Sequence, residues 1–446
     1  MALWTGIVAG PNVARAEERG SSPRSAGDVL TLEQAVALAL ENNRLVRNAA
    51  LEAAKAVDSL ASFRTNRLPA IDLTALESQT LADLKFRFPA GAFGDFPATG
   101  PIPSRDTDVT APGGRTAFVF GRITQPLLQL PRIGLGVRLK ALNLEVAREK
   151  LRAQRQSTVS DVKSAYYSLL DAQSALDATD EAVRALRELD RVVGERVAQQ
   201  TALRAEALAV ESRLASEEHQ ALRLVNALAS GRERLNDLLA RDLDTAFSVS
   251  QVPDPAPNEA DLAAARAEAL ARRADVREAR LTQKQAEIDQ RLKRWDYVPD
   301  LSLMADYVSF YNLDVLPRDF RSVGLFLTWE PFDWGRRGRA LAESKKGLEQ
   351  ARNAVRETES LAVIDVGLKF RALEEARSLL RATGLAQEAA RERLKVTTNR
   401  YAQKAALLKD VLEDQEHLAD ANRQQQAALL SAWTARADLE RALGED

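Results

Sequence analysis

Cysteine is absent from the 446 residues. That excludes disulfides, thiolate metal sites, thiol chemistry and an N-terminal lipidated cysteine. Histidine occurs only twice, as His219 and His417. No run of eighteen apolar residues occurs, so no helix spans a membrane and any membrane role falls to strands. Aromatic residues make up 5%. A globular core normally uses aromatics for bulk, whereas closely packed, alanine-rich helices need few. Charge of one sign is missing too: 62 Lys and Arg stand against 64 Asp and Glu, a net −2, so nothing points to a nucleic-acid partner.

Chemical motifs are equally scarce. Gly335-Arg336-Arg337-Gly338 lacks the lysine and spacing of a phosphate loop, and no G-x-S-x-G nucleophile motif occurs. Neither histidine has a nearby ligand pattern, so both read as surface residues. Carboxylate pairs such as Glu217-Glu218 read as a solvated helical face. The expectation is a protein that is not an enzyme and uses no cofactor or metal.

What is present is a duplication. Glu41 to Ala49 lines up with Ala271 to Ala279, and Pro69-Ala70-Ile71-Asp72-Leu73 with Pro299-Asp300-Leu301-Ser302-Leu303, at a shift of 230 residues. Further on, Arg196-Val197-Ala198-Gln199 matches Arg400-Tyr401-Ala402-Gln403 at a shift of 204. The difference, 230 − 204 = 26, places an insertion between Pro69 and Gly134 of the first half. Its Gly, Pro and Ser content predicts a long loop. Each half therefore reads as a helix, a β-hairpin and two long helices. The expected organisation is a signal-peptide remnant or disordered tail over 1–28, a first repeat over 29–250, a proline-rich linker over 251–257 and a second repeat over 258–446. A short apolar stretch and the small-residue site Ala14-Arg15-Ala16 suggest the signal peptide. Thr31 with Gln34 predicts a capping box, and Asp261 an N-cap at the equivalent place.

Gly134 to about Gln199 holds no proline, a helix of roughly 100 Å. Its apolar seam, Val162, Ala165, Leu169, Ala172 and Leu176, steps by 3, 4, 3, 4, a heptad pattern that predicts left-handed helix pairing. Thr179 interrupts it. Gly338 to about Lys404 repeats the pattern through Val366, Leu373, Ala376 and Leu380, with Lys369 interrupting. Each seam pauses near Gln199–Thr201 and Gln403–Ala405, which predicts hairpin tips. Period-two alternation marks strands at Leu301–Tyr307 and Val323–Trp329, joined through Asn312 to Arg321, with counterparts at Leu68–Ser78 and Ala117–Gln125. Such strands are long enough to cross a bilayer in a tilted barrel. Leu301, Leu303, Tyr307, Val323, Leu325, Leu327 and Trp329 are the expected lipid-facing set. Four strands cannot close a barrel that encloses space, so if they cross a membrane several chains must share one barrel; the alternative is a small water-facing sheet capping a coiled coil.

The ordered set Leu30-Thr31-Leu32-Glu33-Gln34-Ala35 to Glu41-Asn42-Asn43, Tyr297-Val298-Pro299-Asp300-Leu301, Glu330-Pro331-Phe332-Asp333-Trp334-Gly335, and Arg400-Tyr401 through Asp410-Val411-Leu412 resembles the TolC-like outer membrane efflux protein family. The resemblance covers about Leu30 to Leu443. It implies a mainly α fold with a small β part, in which three chains form a twelve-stranded transmembrane β-barrel above a periplasmic helical tunnel. It implies an outer-membrane channel subunit of a tripartite efflux or type I secretion system, a passive conduit. The implied partners are a homotrimer, outer-membrane lipid, a periplasmic adaptor protein and an inner-membrane pump. Asp410 and Glu413 resemble the family's acidic entrance positions, and Tyr401 a tyrosine that helps hold the entrance closed. Ala406 stands where some members carry a basic locking residue, and Gln200 and Lys404 replace the glycine common at the tips. The alternative reading is a structural coiled-coil scaffold of the cell envelope.

Overall fold

The computed structural model describes residues 29–79, 81–111, 113–252, 261–312, 317–403 and 405–445. The signal-peptide region, most of the linker and Lys404 lie outside them. The chain opens with strand β1 (Val29–Leu30) and helix α1 (Leu32–Asn42). The expected capping box is present: Thr31 N–H donates to Gln34 Oε1 at 3.1 Å, and Gln34 N–H to Thr31 Oγ1 at 3.2 Å. The single helix expected at the start of each half is in fact two. Asn43 ends α1 and caps α2 (Arg44–Arg64), its Oδ1 accepting from the N–H groups of Leu45 and Val46. Asparagine does this because its short side chain competes with the backbone for such bonds.

The insertion expected as a loop contains strands. After β2 (Ala70–Gln79) come β3 (Leu84–Phe88), β4 (Asp95–Phe96), β5 (Gly100–Pro101) and β6 (Thr107–Ala111). β3 pairs with β6 and β4 with β5, both antiparallel. Glycines at positive φ (Gly91, Gly94 and Gly100) turn the chain between them. Strand β7 (Arg115–Pro126) then leads to the long helix α3 (Leu130–Ala198) and a returning helix, α4 (Arg204–Leu238), of about half its length. A short β8 (Ser248–Val249) follows, and the order repeats as α5 (Leu262–Arg272), α6 (Ala274–Trp295), β9 (Asp300–Tyr311), β10 (Asp319–Thr328), α7 (Arg336–Ala402) and α8 (Leu408–Leu443). The returning helices α4 and α8 are thus shorter than expected. β10 starts at Asp319, within the segment expected to be loop, and ends one residue before Trp329. Asp261 stands at the N-cap of α5 without a side-chain bond.

The chain divides into two compact units that do not coincide with the sequence halves. One holds the segment up to Ala37 and Ala165–Pro253. In it β1 and β8 pair in parallel. The fully buried Tyr166 hydroxyl lies 2.8 Å from Leu30 O and accepts the Ser250 N–H at 3.0 Å, which ties both short strands to α3. Val193 of α3 and Val210 and Leu235 of α4 are buried, and the two helices meet where Gly231 approaches Leu169.

The other unit holds Leu38–Ser164 and Asp254–Asp446. Its first core joins α2 to α3 through Leu60, Val137 and Leu144, with Phe63 packed against them. Gly136 makes the approach possible, since a Cβ there would lie 2.5 Å from the Phe63 ring. Its second core joins α5, α7 and α8 through Ala265, Ala269, Val366, Leu373, Ala376, Ala432, Leu439 and neighbours. Alanine dominates it, which accounts for the scarcity of aromatics. Lys369, which breaks the apolar seam, has its ammonium 2.6 Å from Asp438.

Candidate functional site

The four long strands form one antiparallel sheet in the order β10-β9-β7-β2. Val323 sits opposite Ala305, Leu325 opposite Leu303 and Leu327 opposite Leu301. Ala305 in turn faces Ile123, which faces Ile71, and Tyr307 faces Gly121, which faces Leu73. Residues opposite each other share a face. One face is therefore apolar across all four strands, with polar residues such as Glu77, Gln125 and Asp319 near its ends. The strand residues expected to face lipid, Leu301, Leu303, Tyr307, Val323, Leu325 and Leu327, all lie on this face; Trp329 follows it in phase beyond the strand. Ile71, Leu73 and Val323 are each 76% exposed. The other face carries Asp72, Thr74, Ser78, Thr116, Arg122, Thr124, Asp306 and Ser322 among its phenylalanines, and Arg122 pairs with Asp306 at 2.8 Å.

The turn from β10 into α7 is built by the Glu330-Pro331-Phe332-Asp333-Trp334-Gly335 segment. Asp333 accepts the Gly335 N–H at 3.1 Å and the Arg337 N–H at 3.0 Å, while Gly335 adopts φ 81°. These backbone bonds, that from Arg337 foremost, hold the Asp333 carboxyl below its usual range. Glu330 pairs with both Arg336 and Arg337.

At the far end of the first hairpin, α3 closes in a Schellman motif. Gln200 takes φ 57°, its N–H donates to Val197 O, and the Thr201 N–H donates to Arg196 O at 2.8 Å. Gln200 thus fills a left-handed position without being glycine. The second tip repeats the longer bond, Ala405 N–H to Arg400 O at 2.8 Å. The returning helices also start alike: Glu206 accepts the Leu203 N–H at 3.4 Å and Asp410 the Leu407 N–H at 3.0 Å.

Asp410 therefore serves the N-terminus of α8 as well as standing at the tip. Glu413, one turn on, is exposed and pairs with Lys409 at 3.4 Å. Tyr401 lies in the last turn of α7, before the tip. The residue that sequence reasoning missed is Asp414. It is 3% exposed, with Arg393 Nε 2.7 Å from Oδ1 and Thr397 Oγ1 donating to Oδ2 at 2.6 Å. The signal was available: Asp414, Ala421, Ala428 and Ala435 recur every seven residues and are all buried. At the positions 204 residues earlier stand Leu189, Val193 and Val210, the last two buried. The second hairpin is polar where the first is apolar. Thr383 with Gln425, at 2.6 Å, and Gln387 with Asn422, at 2.8 Å, continue this polar contact along α7 and α8. Both histidines are exposed, as expected. Glu217 departs from the solvated-face reading. It is 7% exposed and pairs with Arg213 at 3.1 Å, because it falls seven residues after the buried Val210. Among the described residues no group of three His, Asp or Glu side chains is placed to hold a metal ion, and no helix is long and apolar enough to cross a membrane.

The sequence matches the family model for outer membrane efflux proteins over residues 35–241 and 265–445. The chain belongs to that family. As an outer membrane efflux protein it is a channel component of the outer membrane with helices reaching into the periplasm, and its family is one of channels rather than enzymes. Solved structures agree at the level of fold. The Campylobacter jejuni CmeC outer membrane channel is 18% identical, with a TM-score of 0.77 over 93% of this chain and 85% of that one. VceC from Vibrio cholerae is 18% identical, with a TM-score of 0.72 over 93% and 96%. The open state of the Neisseria gonorrhoeae MtrE channel is 19% identical, with a TM-score of 0.72 over 93% and 89%. No curated protein matches the sequence.

Proposed function

We propose that three copies of this efflux protein share one twelve-stranded barrel, and that the channel passes cargo delivered by a periplasmic adaptor and an inner-membrane pump. The observation that carries this reading is the apolar face running across all four long strands. β2 and β10 are the outer strands of that sheet, with no strand paired beyond them among the described residues. An open edge cannot face lipid, because each unpaired backbone group costs several kcal/mol there. Joining β10 of one copy to β2 of the next removes every edge, and twelve strands leave room for a lumen lined by the more polar face.

The second hairpin is the natural place for the entrance. Asp410 and Glu413, one turn apart, give two stacked acidic rings in a trimer, which favour cations and bind multivalent ones. Tyr401 lies in the last turn of α7, on the other arm of the same hairpin. The contact between α7 and α8 is rich in polar pairs that can exchange partners with water, unlike the valine contact of the first hairpin. The second hairpin is accordingly the one we assign to opening.

Conductance of the purified channel in planar bilayers tests this. Asp410→Asn keeps an acceptor for the Leu407 N–H while removing charge; combined with Glu413→Gln it is expected to weaken block by a trivalent cation at least tenfold. Unchanged block removes both residues from the entrance.

A further inference from the structure

Beneath the sheet, the turn after α2, the start of α3 and the end of α6 line an open cleft of about 670 Å³. Arg67, Arg138, Arg291 and Arg294 converge on it, with Trp295 and Val298 as its apolar wall. Nearby guanidiniums are neutralised: Arg132 pairs with Asp300 and Arg337 with Asp333. These four are not. Among the described residues none of them has a carboxylate within ion-pair distance, and Arg294 donates only to Gln290 Oε1 at 3.3 Å. All four residues are exposed, so water screens their mutual repulsion, but together they give the cleft a local positive potential that favours an anion.

The cleft faces the same side as the sheet's apolar face. On α3, the cleft residues Pro131, Gly134, Leu135 and Arg138 recur at helical spacing and so lie on one stripe. Gln129, Arg132 and Ile133 lie on the opposite stripe and line a separate cleft with Ala70, Thr124 and Asp300. Those three strand residues belong to the more polar face of the sheet. From the apolar-face set, Gln125 reaches down to donate to Arg67 O at 3.1 Å. Leu301 and Leu303, on the apolar face, follow Val298 by three and five residues, and Trp295 and Tyr297 mark the level at which amphipathic rings gather at a membrane surface.

We propose that this cleft binds the phosphate of a lipid headgroup in the periplasmic leaflet of the outer membrane, with the acyl chains lying on the apolar strand face. The forked guanidinium donors match phosphate oxygens. A lipid rather than free phosphate is the occupant, because Leu135, Trp295 and Val298 give the cleft an apolar lining and the chain runs from Val298 into Leu301 and Leu303 of the apolar strand face. The proposal rests on that face lying in the membrane.

The test uses the full-length protein extracted from outer membranes in mild detergent. It is incubated with phosphatidylglycerol in mixed micelles with the same detergent and passed through gel filtration, and lipid phosphorus is counted per chain. Arg138→Gln with Arg291→Gln is expected to retain at least fivefold less lipid than the wild type, with an unchanged helical circular dichroism spectrum. Arg138→Lys with Arg291→Lys is expected to recover part of the loss. Equal lipid retention by the glutamine variant overturns the proposal. Displacement of the lipid by inorganic phosphate at equal concentration overturns the lipid as occupant. A wild-type chain absent from the outer-membrane fraction overturns the membrane reading beneath it. A wild-type chain present there, with lipid retention insensitive to the arginines, overturns the cleft alone.

Discussion

Asp414 and Glu440 are acids that α8 presents to its neighbours, and each depends on a cation. Asp414 is almost wholly buried, while its partner Arg393 is 66% exposed. Arg393 faces Asp414 Oδ1 as an ion pair without a hydrogen bond, so the only side-chain bond to the carboxylate among the described residues is that from Thr397. Arg393→Ala removes the facing cation, and leaving such a buried acceptor uncompensated costs about 1–3 kcal/mol. The tip of the second hairpin is therefore expected to lose protease protection in that variant while the first tip keeps it, as limited proteolysis reads directly. Equal cleavage at both tips contradicts the role assigned to the pair. Burial alone raises the Glu440 carboxyl, but the bond from Lys163 at 2.5 Å and the charges of Lys163 and Arg436 together hold it below its usual value of 4.5. A lowered folded pKa contributes stability above about 4.5 that is lost as pH falls through the folded value. The Tm difference between pH 7 and pH 4 is accordingly expected to shrink in Glu440→Gln, measured by thermal circular dichroism.

At the scale of elements, periodicity is what a sequence shows best. The alternation Leu301, Leu303, Ala305, Tyr307 and Val323, Leu325, Leu327 marked β9 and β10 because a half-buried strand must repeat every two residues. The seam of α7 was equally plain from Val366, Leu373 and Ala376. What escaped were features set by single side chains. Asn43 breaks a helical pattern that is otherwise continuous, and the bonds from Leu45 and Val46 that make it do so exist only once the chain turns. The glycine-rich insertion holds β3 to β6 because short pairs such as Phe86 with Val109 need little alternation to form. Asp410 was legible as a tip acid but not as a cap. Asp414 was hidden by its charge, although its seven-residue spacing from Ala421 placed it in the contact. The register of the sheet carries a direct prediction. Leu325→Arg puts a charge on the apolar face at a cost of about 2–4 kcal/mol near the bilayer midplane. The variant is expected to be depleted from the outer-membrane fraction, whereas Ser322→Arg, on the opposite face, is expected to assemble normally. Depletion of both, or of neither, contradicts the assignment of faces.

For the whole molecule, a channel requires that the sheet be a fraction of a larger barrel. The duplication supplies two strand pairs and two helical hairpins, and the exposed apolar face and open outer strands leave each chain incomplete in a membrane. A scaffold protein has no use for either feature. The most direct measurement is the protein mass of the particle extracted by detergent from washed outer membranes, taken by light scattering with the detergent contribution subtracted. A mass of three 49.0 kDa chains is predicted. A monomer or dimer, or a chain found only in the soluble fraction, contradicts the shared barrel and with it the channel.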